Sequence, residues 1–230
     1  MNGQNSFSGF SKKTVRFFQD LAKNNNKPWF DAHREAFESE VMAPSRAFVE
    51  ALGAKLRTVV PHIVAIPKVN KSIFKIHRDT RFSLDPSPFK TNLGVYFWEG
   101  PKSRLESSGF YFHLEPPTLM LGGGFYMFPD QVLERFRRAA VSPRAGRELT
   151  AILAELARRG YEPGGVHYKR LPQGYDPGHP NAPLLKHNGL YVGWEGKIPP
   201  EFYSQKLVDF CFDRFRPVVP LHRWLTKALA

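Results

Sequence analysis

Residues 75–92 read K-I-H-R-D-T-R-F-S-L-D-P-S-P-F-K-T-N, and no other stretch of the chain combines cations, carboxylates, hydroxyl groups and prolines so densely. Arg78, Arg81 and Lys90 carry the positive charge of this segment beside two aspartates. A guanidinium group binds phosphate or carboxylate through two parallel hydrogen bonds, and an ammonium group binds either as a point charge. The segment therefore predicts a basic cleft for an anionic, phosphate-bearing ligand.

Hydroxyl groups and prolines in the same segment extend this prediction. Ser83 and Thr91 could donate hydrogen bonds to the oxygen atoms of a bound anion. Pro86 and Pro88 stiffen the connection, so part of the ordering entropy is removed before a ligand arrives. A rigid loop suits a binding site and a stable loop equally, so the prolines do not distinguish the two.

A structural alternative uses the same charged residues. A strand predicted at 72–78 places Phe74, Ile76 and Arg78 on one face, because side chains alternate along a strand. An inward guanidinium needs a carboxylate, since breaking a buried ion pair costs about 3–5 kcal/mol. Asp79 and Asp85 are the nearest carboxylates, and a salt-bridge lattice of this kind would hold the loop without any catalytic task.

A catalytic alternative assigns proton transfer to the same loop. Asp79 or His77 could act as general base beside the cations in a hydrolase or a transferase. A third alternative is a noncatalytic interaction module, which would present a flat surface with an exposed apolar patch.

A strand predicted at 109–115 could supply one wall of the cleft. Alternation places the apolar residues at 110, 112 and 114 on one face and Tyr111, His113 and Glu115 on the other. Tyr111 and His113 are therefore further candidates for contact with the ligand.

The charge of the whole chain favours anionic partners. It has 33 basic and 21 acidic residues among 230, a formal net charge of +12. Such a charge fits an anionic small molecule or nucleic acid, although surplus arginine also serves solubility. Aromatic residues stand beside cations at Tyr168, Lys169 and Arg170, as in surfaces that bind single-stranded nucleic acid.

Several classes of protein are excluded or disfavoured by motif and composition. The single cysteine, Cys211, excludes an internal disulfide. The histidines and acidic residues lack the spacing of common metal sites, so no metal is predicted, and no motif identifies a cofactor. Neither a signal peptide nor a membrane-spanning run of apolar residues is present, which predicts a cytoplasmic protein without membrane contact. The sequence carries no signal of oligomeric state.

The pattern of elements predicts a single α+β domain over residues 1–230, with residues 1–10 flexible. Helical periodicity occupies the first quarter, beginning after an N-cap at Ser11. The middle predicts a mainly antiparallel sheet, and amphipathic helices in the rest pack on it. The predicted strands lie at about 72–78, 93–99, 109–115 and 117–127, with another at 190–194, whereas 161–188 reads as a long structured loop.

The motif R-D-T-R-F-S at 78–83, followed by aspartate at 85 and P-F-K-T at 88–91, resembles the signature of the family catalogued as domain of unknown function 2461. The similarity extends over most of the chain, and it implies no activity because no function is established for that family. The further matching motifs are L-A at 21–22, N-N at 24–25, W-F at 29–30, G-G-F-Y at 123–126, L-P at 171–172, G-Y at 174–175, H-P at 179–180 and L-L-K at 184–186.

Overall fold

The computed structural model describes residues 6–81, 84–100 and 103–229, and its internal contacts group the chain into two compact units. Each unit is assembled from three separated segments of the sequence. The prediction of one domain over residues 1–230 stays a prediction. Unit 1 comprises Met1–Phe97, Tyr111–Leu121 and Glu195–Asp213, and unit 2 comprises Trp98–Phe110, Gly122–Trp194 and Arg214–Ala230.

The chain has an α+β fold with a six-stranded antiparallel sheet, which confirms the predicted fold class. The strands are β1 (Ile63–Val64), β2 (Leu93–Glu99), β3 (Gly109–Glu115), β4 (Thr118–Phe125), β5 (Glu162–Val166) and β6 (His187–Lys197). They are ordered β1-β2-β3-β4-β6-β5 across the sheet.

Helices precede and follow the strands, as the periodicity predicts. The helices are α1 (Lys12–Lys23), α2 (Lys27–Ala32), α3 (Arg34–Phe37), α4 (Ala43–Leu56), α5 (Asp130–Val141), α6 (Ala145–Arg158), α7 (Leu207–Phe215) and α8 (Val219–Ala228). A π-helical turn at Glu38–Met42 connects α3 to α4. Across the described ranges, no helix combines the length and the hydropathy that are needed to cross a bilayer.

Helix α1 begins where the sequence predicts it. The Ser11 hydroxyl accepts hydrogen bonds from the backbone N–H groups of Lys13 and Thr14, and the Thr14 hydroxyl accepts one from the Ser11 N–H. A cap of this kind stabilises a helix by about 1 kcal/mol. Phe18 and Leu21 are buried on one side of the helix, so its amphipathic pattern places its apolar face in the core.

Aromatic packing forms the core of unit 1. The ring of Phe10 stacks on Phe202 with 5.0 Å between centroids, and Phe48 of α4 lies 4.8 Å from Phe112 of β3. Residues 1–10 are predicted to be flexible, and residues 1–5 lie outside the described part of the chain. Phe7 and Phe10, however, are buried in this cluster, so ordered packing begins before the first helix.

The strand predicted at 72–78 is wrong. In place of a strand, the structure has isolated bridges that pair Ile73 with Val95 and His77 with Phe89. The second bridge has hydrogen bonds from the Arg78 N–H to the Pro88 carbonyl and from the Lys90 N–H to the Ile76 carbonyl, at 2.9 and 2.7 Å. Proline has no N–H group, so Pro88 cannot donate the next hydrogen bond and the pairing cannot extend.

Strand β5 lies inside the region predicted to be a loop. It pairs with β6, with Gly164 opposite Tyr191 and Val166 opposite His187, and the register shifts between these two pairs. Its sequence, E-P-G-G-V, is rich in residues that are rare in strands. The last position in the strand order explains this composition, because an edge strand tolerates proline and glycine.

A buried hydrogen-bonded chain of three side chains lies in unit 2. His222 of α8 is fully buried, and its Nδ1 and Nε2 atoms each lie 2.9 Å from a partner, the Ser108 hydroxyl and a Glu99 carboxylate oxygen respectively. Burial lowers the pKa of His222, while the adjacent Glu99 carboxylate acts in the opposite direction. The folded protein therefore favours the neutral imidazole, which donates to Glu99 and accepts from Ser108.

This burial predicts that stability falls in mild acid. Because the folded-state pKa is lower than the unfolded value of about 6.5, the unfolded chain takes up a proton that the native state resists. The contribution of neutral His222 to the free energy of unfolding is complete above about pH 6.5 and decreases as the pH falls toward the folded-state pKa. We expect His222→Gln to flatten the slope of unfolding free energy against pH below about 6.5, measured by urea unfolding.

The exposed residue His62 provides the control for this experiment. The substitution His62→Gln should leave the slope of the unmodified protein unchanged. If His222→Gln and the unmodified protein have equal slopes, buried His222 is not the cause of the loss of stability in mild acid, whatever the absolute stabilities of the two proteins.

Candidate functional site

The predicted ligand-binding arginines of the loop form ion pairs at the surface of unit 1. Arg78 pairs with Asp85, and its side chain is only 27% exposed. The Ser87 N–H donates to the second oxygen of Asp85 at 2.9 Å. Hydrogen bonds from Ser87 and Arg78 hold the pKa of Asp85 well below its usual range, so this carboxyl group is ionised.

Arg81 binds Asp79 through two parallel hydrogen bonds. Its Nε and Nη2 atoms lie 2.9 and 2.7 Å from the two carboxylate oxygens, and its side chain is 77% exposed. The hydrogen bond from the Arg81 side chain lowers the pKa of Asp79 to about 2. Asp79, one of the two predicted general bases, therefore has little tendency to accept a proton at neutral pH.

The other residues predicted in the loop have different surroundings. His77, the second candidate general base, is exposed, and its ring lies 5.2 Å from Phe89. The Lys90 ammonium lies 5.5 Å over the ring of Phe74. Ser83, a predicted hydroxyl donor, lies outside the residues that the structure describes.

Four side chains on the outer face of β3 and beside it form a continuous hydrogen-bonded series, which we name the polar chain. The Tyr111 hydroxyl lies 2.9 Å from His113 Nδ1, and His113 Nε2 lies 3.3 Å from one oxygen of Glu115. The Thr91 hydroxyl donates to the other Glu115 oxygen at 2.9 Å. A carboxylate thus orients the imidazole, and the imidazole orients the phenol.

Phe74 connects the polar chain to Lys90. Its ring meets Tyr111 edge to face, with 5.8 Å between centroids, and the Lys90 ammonium lies over the same Phe74 ring. The structure therefore brings together four residues that the sequence predicted for the ligand, namely Lys90, Thr91, Tyr111 and His113.

Three members of this site were not predicted as ligand contacts. Glu115 could have been found, because alternation places it on the face of Tyr111 and His113. Phe74 was predicted to share the inward face with Arg78, and it is half-buried against Tyr111. Gly94 carries no signal in the sequence, since its role depends on a neighbouring strand.

Gly94 of β2 provides the space that the Tyr111 hydroxyl occupies. A Cβ atom at this position would lie 2.8 Å from the hydroxyl oxygen and 3.2 Å from the Phe74 ring. Both distances are shorter than ordinary van der Waals contact. The absence of a side chain at Gly94 thus permits the hydrogen bond between Tyr111 and His113.

The site offers few side chains that could bind a metal ion. In residues 6–81, 84–100 and 103–229, no three His, Cys, Asp or Glu side chains are grouped as a metal ion requires. The polar chain contains one histidine and one carboxylate, which is fewer than the usual ligand number of a protein metal site.

A family model described as "Conserved hypothetical protein (DUF2461)" matches residues 13–224, which is nearly the whole chain. The chain belongs to this family. The match includes residues 75–92, the polar chain and His222, so the side chains of the candidate site lie within the matched region. A comparison with curated proteins found no match.

The close approach at Gly94 predicts a specific coupling between two substitutions. We expect Gly94→Ala to destabilise the protein by about 1–3 kcal/mol, because the added methyl group displaces the Tyr111 hydroxyl. The loss should be smaller when Tyr111→Phe is already present, since that change removes the atom at 2.8 Å. Chemical denaturation of the two single variants and the double variant measures this coupling.

If the losses in free energy of unfolding of the two single variants simply add up in the double variant, Gly94 does not provide the space for the Tyr111 hydroxyl. The Tyr111→Phe variant by itself is the matched control, because it removes the hydrogen bond to His113 without adding a methyl group.

Proposed function

We propose that this protein binds an anionic, phosphate-bearing small molecule at a site composed of Lys90, the polar chain and the loop arginines Arg78 and Arg81. The observation that carries the proposal is the polar chain itself, which holds a phenol and an imidazole in fixed directions beside a lysine. Residues 75–92 contain four Lys or Arg residues and two Asp residues, so the segment keeps a positive charge after both arginines have paired.

Proton positions in the polar chain determine how an anion could bind. With neutral His113, Nε2–H donates to Glu115 and Nδ1 accepts the Tyr111 proton, so the phenol directs its proton away from a ligand. With protonated His113, Nδ1–H donates to the phenol oxygen and the Tyr111 proton turns toward the ligand. Binding of an anion at Tyr111 should therefore be coupled to proton uptake by His113, and Glu115 stabilises the resulting cation.

The ion pairs of the loop are compatible with ligand binding. Exposed ion pairs contribute little to stability, because water screens the charges and the side chains lose entropy. An incoming phosphate could therefore replace Asp79 on the Arg81 fork, which already presents Nε and Nη2 in the geometry that binds an oxyanion. Asp79 would then serve to orient the arginine before the ligand arrives.

A second candidate function is acid–base catalysis in a hydrolase or a transferase. The favouring observation is that Glu115 orients His113, as an acidic residue orients the general base in many hydrolases. In this candidate His113 takes the role that the sequence assigned to Asp79 or His77, since the Arg81 contact makes Asp79 a weak base. Tyr111 would transmit or deliver the proton.

Removal of the lysine tests the leading proposal. We expect Lys90→Ala to weaken the binding of inorganic phosphate by about tenfold or more, since a charge-assisted hydrogen bond contributes about 1.5–3 kcal/mol. Isothermal titration calorimetry at low ionic strength measures this affinity. The control is Lys68→Ala, which removes the same charge from an exposed position of unit 1. If the two variants lose the same affinity for phosphate, the effect comes from net charge alone, and the proposal is overturned.

The same experiment with sulfate tests the proton coupling, because sulfate keeps its charge through the neutral range. We expect sulfate affinity to fall as the pH rises, because the Tyr111 proton turns toward the anion only when His113 is protonated. The substitution His113→Gln should abolish that dependence. A dependence that persists in His113→Gln would contradict the proposed role of the polar chain.

The Asp79 carboxylate separates the binding proposal from the general-base role that the sequence assigned to this residue. Asp79→Asn removes the charge that competes for Arg81, so the binding proposal predicts tighter phosphate binding, measured by the same titration. If Asp79 were instead the general base of a hydrolase or transferase, this change would abolish turnover and leave ligand affinity almost unaltered. Arg81→Ala is the matched variant, and it should weaken binding.

A further inference from the structure

The part of strand β6 that lies in unit 2 presents different residues on its two faces. Leu190 and Val192 are buried on one face, whereas Tyr191 and Gly193 point the other way and are half-buried. The adjacent strand β5 is mostly exposed along its length. The sheet of unit 2 therefore has an outer face that is open to solvent at its β5 edge.

Two tyrosine rings lie together on this outer face. Tyr126, directly after β4, is 67% exposed, and its ring centroid lies 5.6 Å from that of Tyr191 with 30° between the planes. The Tyr191 ring in turn crosses Gly164 of β5, where an added Cβ atom would lie 2.4 Å from the ring. The glycine leaves room for the ring to lie flat, so the face is a shallow aromatic platform.

A second exposed group lies on the other side of the first residues of β6. Val166 and Tyr168 are 67% and 37% exposed, and the Arg137 guanidinium carbon lies 5.2 Å over the Tyr168 ring. The Tyr168 N–H donates to the Lys186 carbonyl at 2.9 Å.

The two aromatic groups follow backbone segments on opposite sides of the beginning of β6. The Phe128 N–H donates to the Asn188 carbonyl at 2.7 Å, so the residues after β4 flank the beginning of β6, opposite those after β5. Neighbouring strands are about 4.8 Å apart, so the two groups are separated by about two strand spacings. We name the surface with Tyr126 and Tyr191 the aromatic platform, and Tyr168 lies across β6 from it.

The charge of unit 2 is strongly positive. Its segments contain 16 Lys and Arg residues and 8 Asp and Glu residues, so it contributes +8 of the formal net charge of +12. Lys169 and Arg170 directly follow Tyr168, and Lys186 directly precedes β6. The cations are thus close to Tyr168 in sequence and through the backbone hydrogen bond between Tyr168 and Lys186.

We propose that the aromatic platform binds single-stranded nucleic acid, at a site separate from the one proposed for the small anion. Exposed rings on an open sheet face stack on unpaired bases, and neighbouring cations bind the phosphates. A duplex keeps its bases paired and stacked inside, so it cannot use the rings. An anionic membrane is a poorer fit, because rings with polar hydroxyl groups predominate over long aliphatic side chains.

Fluorescence anisotropy with a labelled single strand of about 15 nucleotides tests this proposal, since that length fills a typical binding site. We expect binding at low salt that weakens steeply with added salt. Tyr126→Ala should weaken it by about tenfold, which corresponds to the loss of one stacked base. Tyr126→Phe is the matched control and should bind as the unmodified protein does, because the ring is retained and the hydroxyl is not needed for stacking.

A double variant, Lys169→Ala with Arg170→Ala, tests the phosphate contacts. Each lost contact should reduce the slope of log affinity against log salt by about 0.7. The Lys90→Ala variant should bind the strand as the unmodified protein does, which separates this proposal from that for the small anion.

Three results would overturn the proposal. The first is that Tyr126→Ala binds the strand as tightly as the unmodified protein does, and the second is that the single strand and its duplex bind equally tightly. The third is that Tyr126→Ala weakens binding to phosphatidylserine vesicles while the oligonucleotide does not bind. The first two would indicate attraction by net charge without stacking, and the third would indicate a membrane surface.

Discussion

The alternation of side chains along a β-strand is the constraint on which the rest of this structure depends. In β3 it buries Phe110, Phe112 and Leu114 completely, and each such side chain contributes about 1.5–3 kcal/mol when it leaves water. The same backbone necessarily presents Tyr111 and His113 on the opposite face. The stability of the core thus determines where the polar chain lies, since a shift by one residue would exchange the two faces.

Charged groups in the molecule fall into two physical classes. The Arg81–Asp79 pair of the loop is exposed, so it orients the arginine more than it stabilises the fold. The chain of Ser108, His222 and Glu99 is buried, where an unsatisfied polar group is costly and every hydrogen-bond donor or acceptor needs a partner. Ligand exchange is therefore feasible in the loop, whereas the buried chain holds α8 in one position in unit 2.

The two proposed sites use their exposed side chains in different ways. In unit 1 the polar chain fixes individual donors and acceptors, which suits a small ligand with defined oxygen positions. In unit 2 the exposed rings offer area without fixed hydrogen bonds, which suits bases of any sequence. Glycine contributes to both, because Gly94 gives room to the Tyr111 hydroxyl and Gly164 gives room to the Tyr191 ring.

The sequence by itself determined the features that depend on neighbours along the chain. Periodicity and caps located α1, β2, β3 and most of the helices, and the R-D-T-R-F-S motif identified the family. The local pattern wrongly predicted a strand at 72–78, where Pro88 stops the pairing. It wrongly predicted a loop at β5, because the edge of a sheet accepts a sequence that is typical of a loop. Both errors concern backbone pairing between segments that are not adjacent in sequence.

The tertiary structure alone decided which partner each polar group has. Alternation predicted that Tyr111 and His113 share a face, but not that Glu115 and Thr91 complete their hydrogen-bonded series or that Gly94 lies beneath the hydroxyl. The sequence named Asp79 and Asp85 as candidate partners for the loop arginines. It could not show that Arg78 pairs with Asp85 and Arg81 with Asp79, or that Tyr126 meets Tyr191. Hydrogen bonds and ring contacts depend on distances of a few ångströms between residues far apart in sequence, and only the folded chain determines those distances.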